Sequence, residues 1–169
     1  MAHFVAFLRG INVGGKNLLP MAELKSLCEE AGLSDVRTFL QSGNVLFSTT
    51  RKDPAKLIEK ALARDVKVIV RSIDELQKVV DRSPFDADTN PSLRIVVFLE
   101  KEPSKEAQKA LLDSYKGPEE MHFDGSELFV YYVDGQGRSK LTNALIEKKL
   151  GMRGTARNWN TVTKLLAMV

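Results

Sequence analysis

The chain has 169 residues, 43% of them hydrophobic and 28% charged, with a formal net charge of +3 and a pI near 9.0. That length allows one moderate domain or two very small ones, the composition is that of a soluble globular protein, and the dispersed basic residues permit an anionic partner without demanding one. No apolar run approaches the roughly 18–20 residues that span a bilayer, and no signal peptide is expected. The single cysteine, Cys28, excludes an internal disulfide, so the expected compartment is the cytoplasm.

The apolar run His3 to Leu8 predicts a central strand, and the glycine-rich stretch Arg9 to Asn17 (RGINVGGKN) follows it. A helix is expected from Pro20, taken as its first position, to Ala31, stopped by Gly32. Its Leu24, Leu27, Cys28 and Ala31 share one buried face, which makes Cys28 a structural thiol. Val36 to Leu40 and Val45 to Ser48 read as a hairpin around Gln41-Ser42-Gly43-Asn44. Asp53-Pro54 opens a second helix with the stripe Leu57, Ile58, Ala61 and Leu62, and Val66, Val68 and Val70 mark a fourth strand. Ser72 to Glu75 is a capping-box pattern opening a further helix that carries Leu76, Val79 and Val80.

Arg82 to Pro91 (RSPFDADTNP) reads as a linker. Beyond it the element order recurs. Leu93 to Leu99 is a strand, Pro103 to Tyr115 a helix, and Glu120 to Phe123 with Leu128 to Val133 a hairpin around Asp124-Gly125. Leu141 to Leu150 is a helix stopped by Gly151, Thr155 to Arg157 a short extended piece, and a last helix starts at Asn158. Each half thus reads β-α-β-β-α-β. The expected fold class is α+β, two tandem ferredoxin-like subdomains with mainly antiparallel sheets. The expected division is residues 1–81, a linker at 82–91, and residues 92–169.

A glycine-rich turn between a strand and a helix exposes backbone N–H groups near a helix N-terminus, which together favour an anion. Gly10 to Asn17 nearly matches the phosphate-loop pattern, but Asn17 stands where a Mg²⁺-binding hydroxyl is required and the helix starts late. In a β-α-β-β-α-β unit the first and second strands run the same way, so this loop and Gln41 to Asn44 emerge at one end of the sheet. The candidate ligand-binding residues there are Arg9, Asn12, Gly14, Gly15, Lys16, Asn17, Gln41, Ser42 and Asn44: two cations, neutral hydrogen-bonding groups and no carboxylate. The same glycines and asparagines also suit tight turns, so loop architecture stands as the other reading. Arg157, Asn158 and Trp159 complete the candidate set, Asn158 as a helix cap and Trp159 either as a packing anchor or, with Arg157, as a stacking platform. No catalytic residue is identified. With two histidines, His3 and His122, far apart in the chain, a closed zinc site is not expected and no cofactor is implied.

Three segments, LRGINVGGKN at Leu8 to Asn17, TFLQSGNVLF at Thr38 to Phe47 and TARNWNTVTKLL at Thr155 to Leu166, carry a resemblance that extends over essentially the whole chain. In order and spacing they resemble the bacterial family of uncharacterised proteins called domain of unknown function 1697. The resemblance implies a two-subdomain α+β protein with ferredoxin-like elements and supplies no reaction, cofactor or catalytic residue. The function expected from the residues is a binding module for a phosphate-bearing small molecule or nucleic acid at the glycine-rich loop. A protein-interaction or scaffold module is the alternative, and a phosphoryl-transfer enzyme the third reading.

Overall fold

The computed structural model describes residues 1–169. The elements are β1 (Ala2–Leu8), α1 (Met21–Glu30), β2 (Ser34–Phe39), β3 (Asn44–Thr49), α2 (Pro54–Leu62), β4 (Val68–Ser72), α3 (Ile73–Asp81), β5 (Arg94–Leu99), α4 (Lys105–Ser114), β6 (Glu120–Asp124), β7 (Glu127–Tyr131), α5 (Asn143–Leu150), β8 (Gly154–Asn158) and α6 (Trp159–Ala167), with 3-10 turns at Pro91–Leu93 and Gln136–Arg138. The strands make two four-stranded sheets, ordered β2-β3-β1-β4 and β6-β7-β5-β8, with every pairing antiparallel. The chain divides into two compact units, Met1–Lys78 with Leu165–Val169, and Val79–Lys164. No helix is long and apolar enough to cross a membrane.

In the first unit β1 is central because its last four residues, Val5 to Leu8, are buried on both sheet faces. Side chains alternate along a strand, so Ala6 and Leu8 join Val45, Phe47, Val36 and Val68 on one face. Against that face lie Leu24 and Cys28 of α1 with Ile58 and Leu62 of α2, spaced to form one apolar stripe per helix. Asp53 caps α2, its Oδ1 accepting from the Lys56 N–H at 3.2 Å. Ser72 and Glu75 form a reciprocal capping box at α3: Ser72 N–H donates to Glu75 Oε2 at 2.8 Å and Glu75 N–H to Ser72 Oγ at 3.1 Å.

Several element boundaries differ from expectation by one or two residues. Pro20 is the N-cap rather than the first helical residue, since its ψ of 142° is extended. β4 starts at Val68 rather than Val66, because the Val66 N–H closes a tight turn onto Arg64 O at 2.9 Å. The β2–β3 register shifts between Ser34 and Arg37, a bulge in an edge strand where Asp35 takes a positive φ of 51°.

The second unit is built in the same way around β5, all six residues of which are buried. Ile95, Val97 and Leu99 pack with Leu128, Val130 and Tyr132 against Leu111 of α4 and Ile146 and Leu150 of α5. The fully buried Tyr132 satisfies its hydroxyl by donating to Leu141 O at 2.8 Å. Gly151 ends α5 in the left-handed conformation, its N–H donating to Glu147 O at 2.8 Å. The expected extended piece at Thr155 to Arg157 is a full strand, β8, paired along the length of β5. Segment 82–91 is anchored by Arg94, whose Nη2 donates to Asp86 O at 3.0 Å, Ala87 O at 3.2 Å and Thr89 O at 2.7 Å. Phe85 packs there at 5.6 Å from the ring of His122 and 5.7 Å from that of Tyr131.

Candidate functional site

The glycine-rich loop folds back on itself as a small ribbon. Gly14 and Gly15, with φ of 57° and 73°, fill the centre of a two-residue turn that requires positive φ at both positions. Lys16 N–H donates to Val13 O at 3.0 Å, and one rung further Asn12 N–H donates to Asn17 O at 3.1 Å. Asn12 and Asn17 also take positive φ, 54° and 49°, a conformation asparagine tolerates better than most side chains. Asn17 Nδ2 then returns to Gly10 O at 3.1 Å.

Asn12 is the junction between the two loops. Its Oδ1 accepts from Leu19 N–H at 2.8 Å, and its Nδ2 donates to Leu19 O at 3.0 Å and to Gln41 O at 2.8 Å. Leu8 N–H donates to Gly43 O at 2.9 Å, so backbone as well as side chain joins β1's exit to the β2–β3 turn. Gly43 is required there. It has a φ of 90°, and a Cβ on it would lie 2.6 Å from Ile11 Cδ1. Asn44 is fully buried, its Nδ2 donating to Phe39 O at 2.7 Å and Ser42 Oγ at 3.2 Å. Arg64 closes the far side, donating to Leu18 O at 3.0 Å.

The two loops therefore meet as their topology requires, but their asparagines are committed to the framework. Gly14, Gly15, Lys16, Gln41 and Ser42 are exposed and Arg9 is half-buried. Two of the loop's N–H groups are spent on its own ribbon. α1 begins four residues after Asn17, behind Pro20 and with Glu23 in its first turn, where a negative side chain already answers the positive helix end. The loop and the helix are thus separate features, unlike a phosphate loop.

In the second unit, Asn158 caps α6, accepting from Thr161 N–H at 3.0 Å. Arg157 turns inward: it is 7% exposed and its Nη1 donates to Thr155 Oγ1 at 2.6 Å and Ala156 O at 2.9 Å. Burial pulls its pKa down to about 10. Arg94, instead, lies over the half-buried Trp159 ring, 6.0 Å from its centroid. The Arg94 guanidinium is fixed by the carbonyls of segment 82–91, so this stack belongs to a packed corner.

A family model described as "Protein of unknown function (DUF1697)" matches residues 1–129. The chain belongs to the DUF1697 family. Among solved structures it is similar to a conserved bacterial protein from Streptococcus pneumoniae, with 22% identity, a TM-score of 0.77, and coverage of 99% of this chain and 98% of that one. That likeness carries the fold alone. No curated protein matches the chain.

This DUF1697 chain also holds a polar cluster that sequence reasoning missed. His3 pairs in register with Ser48, and Ser34 pairs with Ser48 from the other side. His3 Nδ1 lies 2.8 Å from Ser48 Oγ, and Ser48 Oγ donates to Asp35 Oδ2 at 3.4 Å. By alternation the cluster lies on the sheet face opposite α1 and α2. The three side chains and Arg37 line a cavity of about 400 Å³. The polar His3 in an otherwise apolar strand is the one signal the sequence offers. Cross-strand register and the β2 bulge, which brings Asp35 to that face, are not written in any single segment.

Proposed function

We propose that the protein is a binding module whose ligand end is the loop end of the first sheet, and that the ligand carries a phosphate group, as a nucleotide or a nucleic-acid backbone does. The observation that carries this reading is the Asn12 junction, which fixes two loops free of carboxylates beside each other and leaves Lys16 exposed on a hydrogen-bonded turn. Ligand contact then falls to Lys16, Arg9, Gln41 and Ser42. Asn12, Asn17 and Asn44 act as positioning residues. We further infer that each half is ferredoxin-like, on the strength of its element order and strand order, that 1–81 and 92–169 are the two subdomains joined by 82–91, and that the protein is cytoplasmic, given its lone cysteine.

A protein partner is the second reading, and one observation favours it. Val13, Leu18 and Leu40 are 64%, 65% and 50% exposed, and each adjoins a residue of the Asn12 junction.

The test is a thermal-shift screen of nucleotides, sugar phosphates and short oligonucleotides, since a ligand of the native state raises Tm by mass action. Lys16→Ala is expected to change stability by less than about 0.5 kcal/mol while weakening a phosphate ligand by roughly ten- to a hundredfold. For an oligonucleotide, the log–log salt slope is expected near about −0.7 per phosphate contacted, and for a single nucleotide it is shallower. A Tm unmoved by every phosphate-bearing compound overturns the first reading in favour of the second.

A further inference from the structure

We propose that the cavity beside His3, Asp35, Arg37 and Ser48 binds a small monocarboxylic acid bearing a hydroxyl or ammonium group next to its carboxylate. The site lies within the first unit and is independent of the loop-end reading.

The proton inventory fixes what the cluster presents. Ser48 is 1% exposed and carries a single hydroxyl proton, so it has one bond to give. An ionised Asp35 can only accept, and Ser48 Oγ donates to it. Ser48 is then the acceptor in its 2.8 Å contact with His3, which places the imidazole proton on Nδ1. In the uncharged ring with its proton on Nδ1, Nε2 carries the lone pair, and the exposed His3 offers it to a donor on a ligand. The bulge that turns Asp35 toward Ser48 holds a non-glycine residue at a φ of 51°, local strain of the kind that gathers at binding sites.

Arg37, two residues past Asp35, lines the same cavity and presents a planar fork suited to a carboxylate. Charge selects the ligand. One guanidinium offset by the carboxylate held by Ser48 suits a single carboxylate group and disfavours a phosphate dianion. Leu46 and Ile73 add apolar wall, which suits a short carbon skeleton. The volume of about 400 Å³ lies within the range of roughly 300–1,000 Å³ typical of small-molecule sites. Carboxylate on Arg37 and donor on His3 Nε2 together describe 2-hydroxy and 2-amino acids.

The experiment uses the imidazole as reporter. The chain has only two histidines, so His122→Gln leaves His3 as the sole imidazole in an ¹⁵N-edited NMR spectrum. Probes are 2-hydroxy and 2-amino acids of a few carbons, the matched acids lacking the donor, and inorganic phosphate. The free protein is expected to show the Nδ1–H tautomer, with saturable His3 shifts from the donor-bearing acids and at least about tenfold weaker binding of the matched acids. Arg37→Gln is expected to weaken all of the acids by about tenfold or more. Ser48→Ala is expected to release the tautomer and erase the preference for the donor while carboxylate binding persists. Where Ser48→Ala does not fold, the tautomer of the unaltered cluster and the Arg37→Gln titration decide. An Nε2–H tautomer in the free protein, no saturable shift, affinities indifferent to Arg37→Gln, or phosphate bound as well as the acids each overturn the proposal.

Discussion

Asn12 does more structural work than any other side chain of the glycine-rich loop. Its amide supplies one acceptor and two donor bonds to Leu19 and Gln41 backbone, and Leu19 itself is fully buried. Asn12→Ala deserts three backbone groups and puts alanine at a φ of 54°, so a loss of about 2–3 kcal/mol is expected in urea unfolding. Asn12→Gly separates the two causes, since it relieves the backbone while still lacking the amide. A loss below about 0.5 kcal/mol for Asn12→Ala would show that the loop is held by its backbone alone. Cys28 carries a second prediction at this scale. Burial, with Glu29 adding to it, raises its thiol from 9.0 to about 11. Between those values the unfolded chain releases a proton that the folded chain keeps, so the folded state is disfavoured as pH rises through the window. The loss amounts to at most about 3 kcal/mol by pH 11. Cys28→Ala should therefore show a flatter decline in unfolding free energy between about pH 8 and about pH 10.5, and equal declines in the two proteins would refute the assignment.

Helices and strands were legible where local chemistry decides them. Asp53-Pro54, Ser72 to Glu75, Asn158 and Gly151 each announce a helix end in a single short stretch, and each makes the expected cap bond. Asp124-Gly125 marked its hairpin to within one residue, since Asp124 pairs with Glu127 across Gly125-Ser126. What was illegible depends on partners distant in sequence. The length of β8 is set by its pairing with β5, some sixty residues earlier in the chain. The meeting of the two loops followed from strand direction, so Asn12 and Gln41 were placed together correctly; that Asn12 spends its amide on the junction could not be read from the residue type. The His3–Ser48–Asp35 cluster needed both a register and a bulge, and a bulge leaves no composition signal in SDVRTF.

At the scale of the whole molecule the repeated order of elements was visible, and the two sheets share one strand order without a residue-level repeat. The first unit is discontinuous in the chain. It takes in residues 1–78 and, after the entire second unit, Leu165–Val169, so α6 starts in one unit and ends in the other. Leu165 is fully buried, so this end of α6 contributes a side chain to packing, while Val169 is 56% exposed. Leu165→Ala removes three buried carbons, and core truncations of this kind cost about 2–5 kcal/mol. Hydrogen exchange reads the effect locally. Amides of β1 and β3 are expected to lose protection by an amount in that range, because Leu165 groups with their unit. Unaltered protection across β1 and β3 would mean that α6 ends outside the first unit, and that residues 1–78 complete their core unaided.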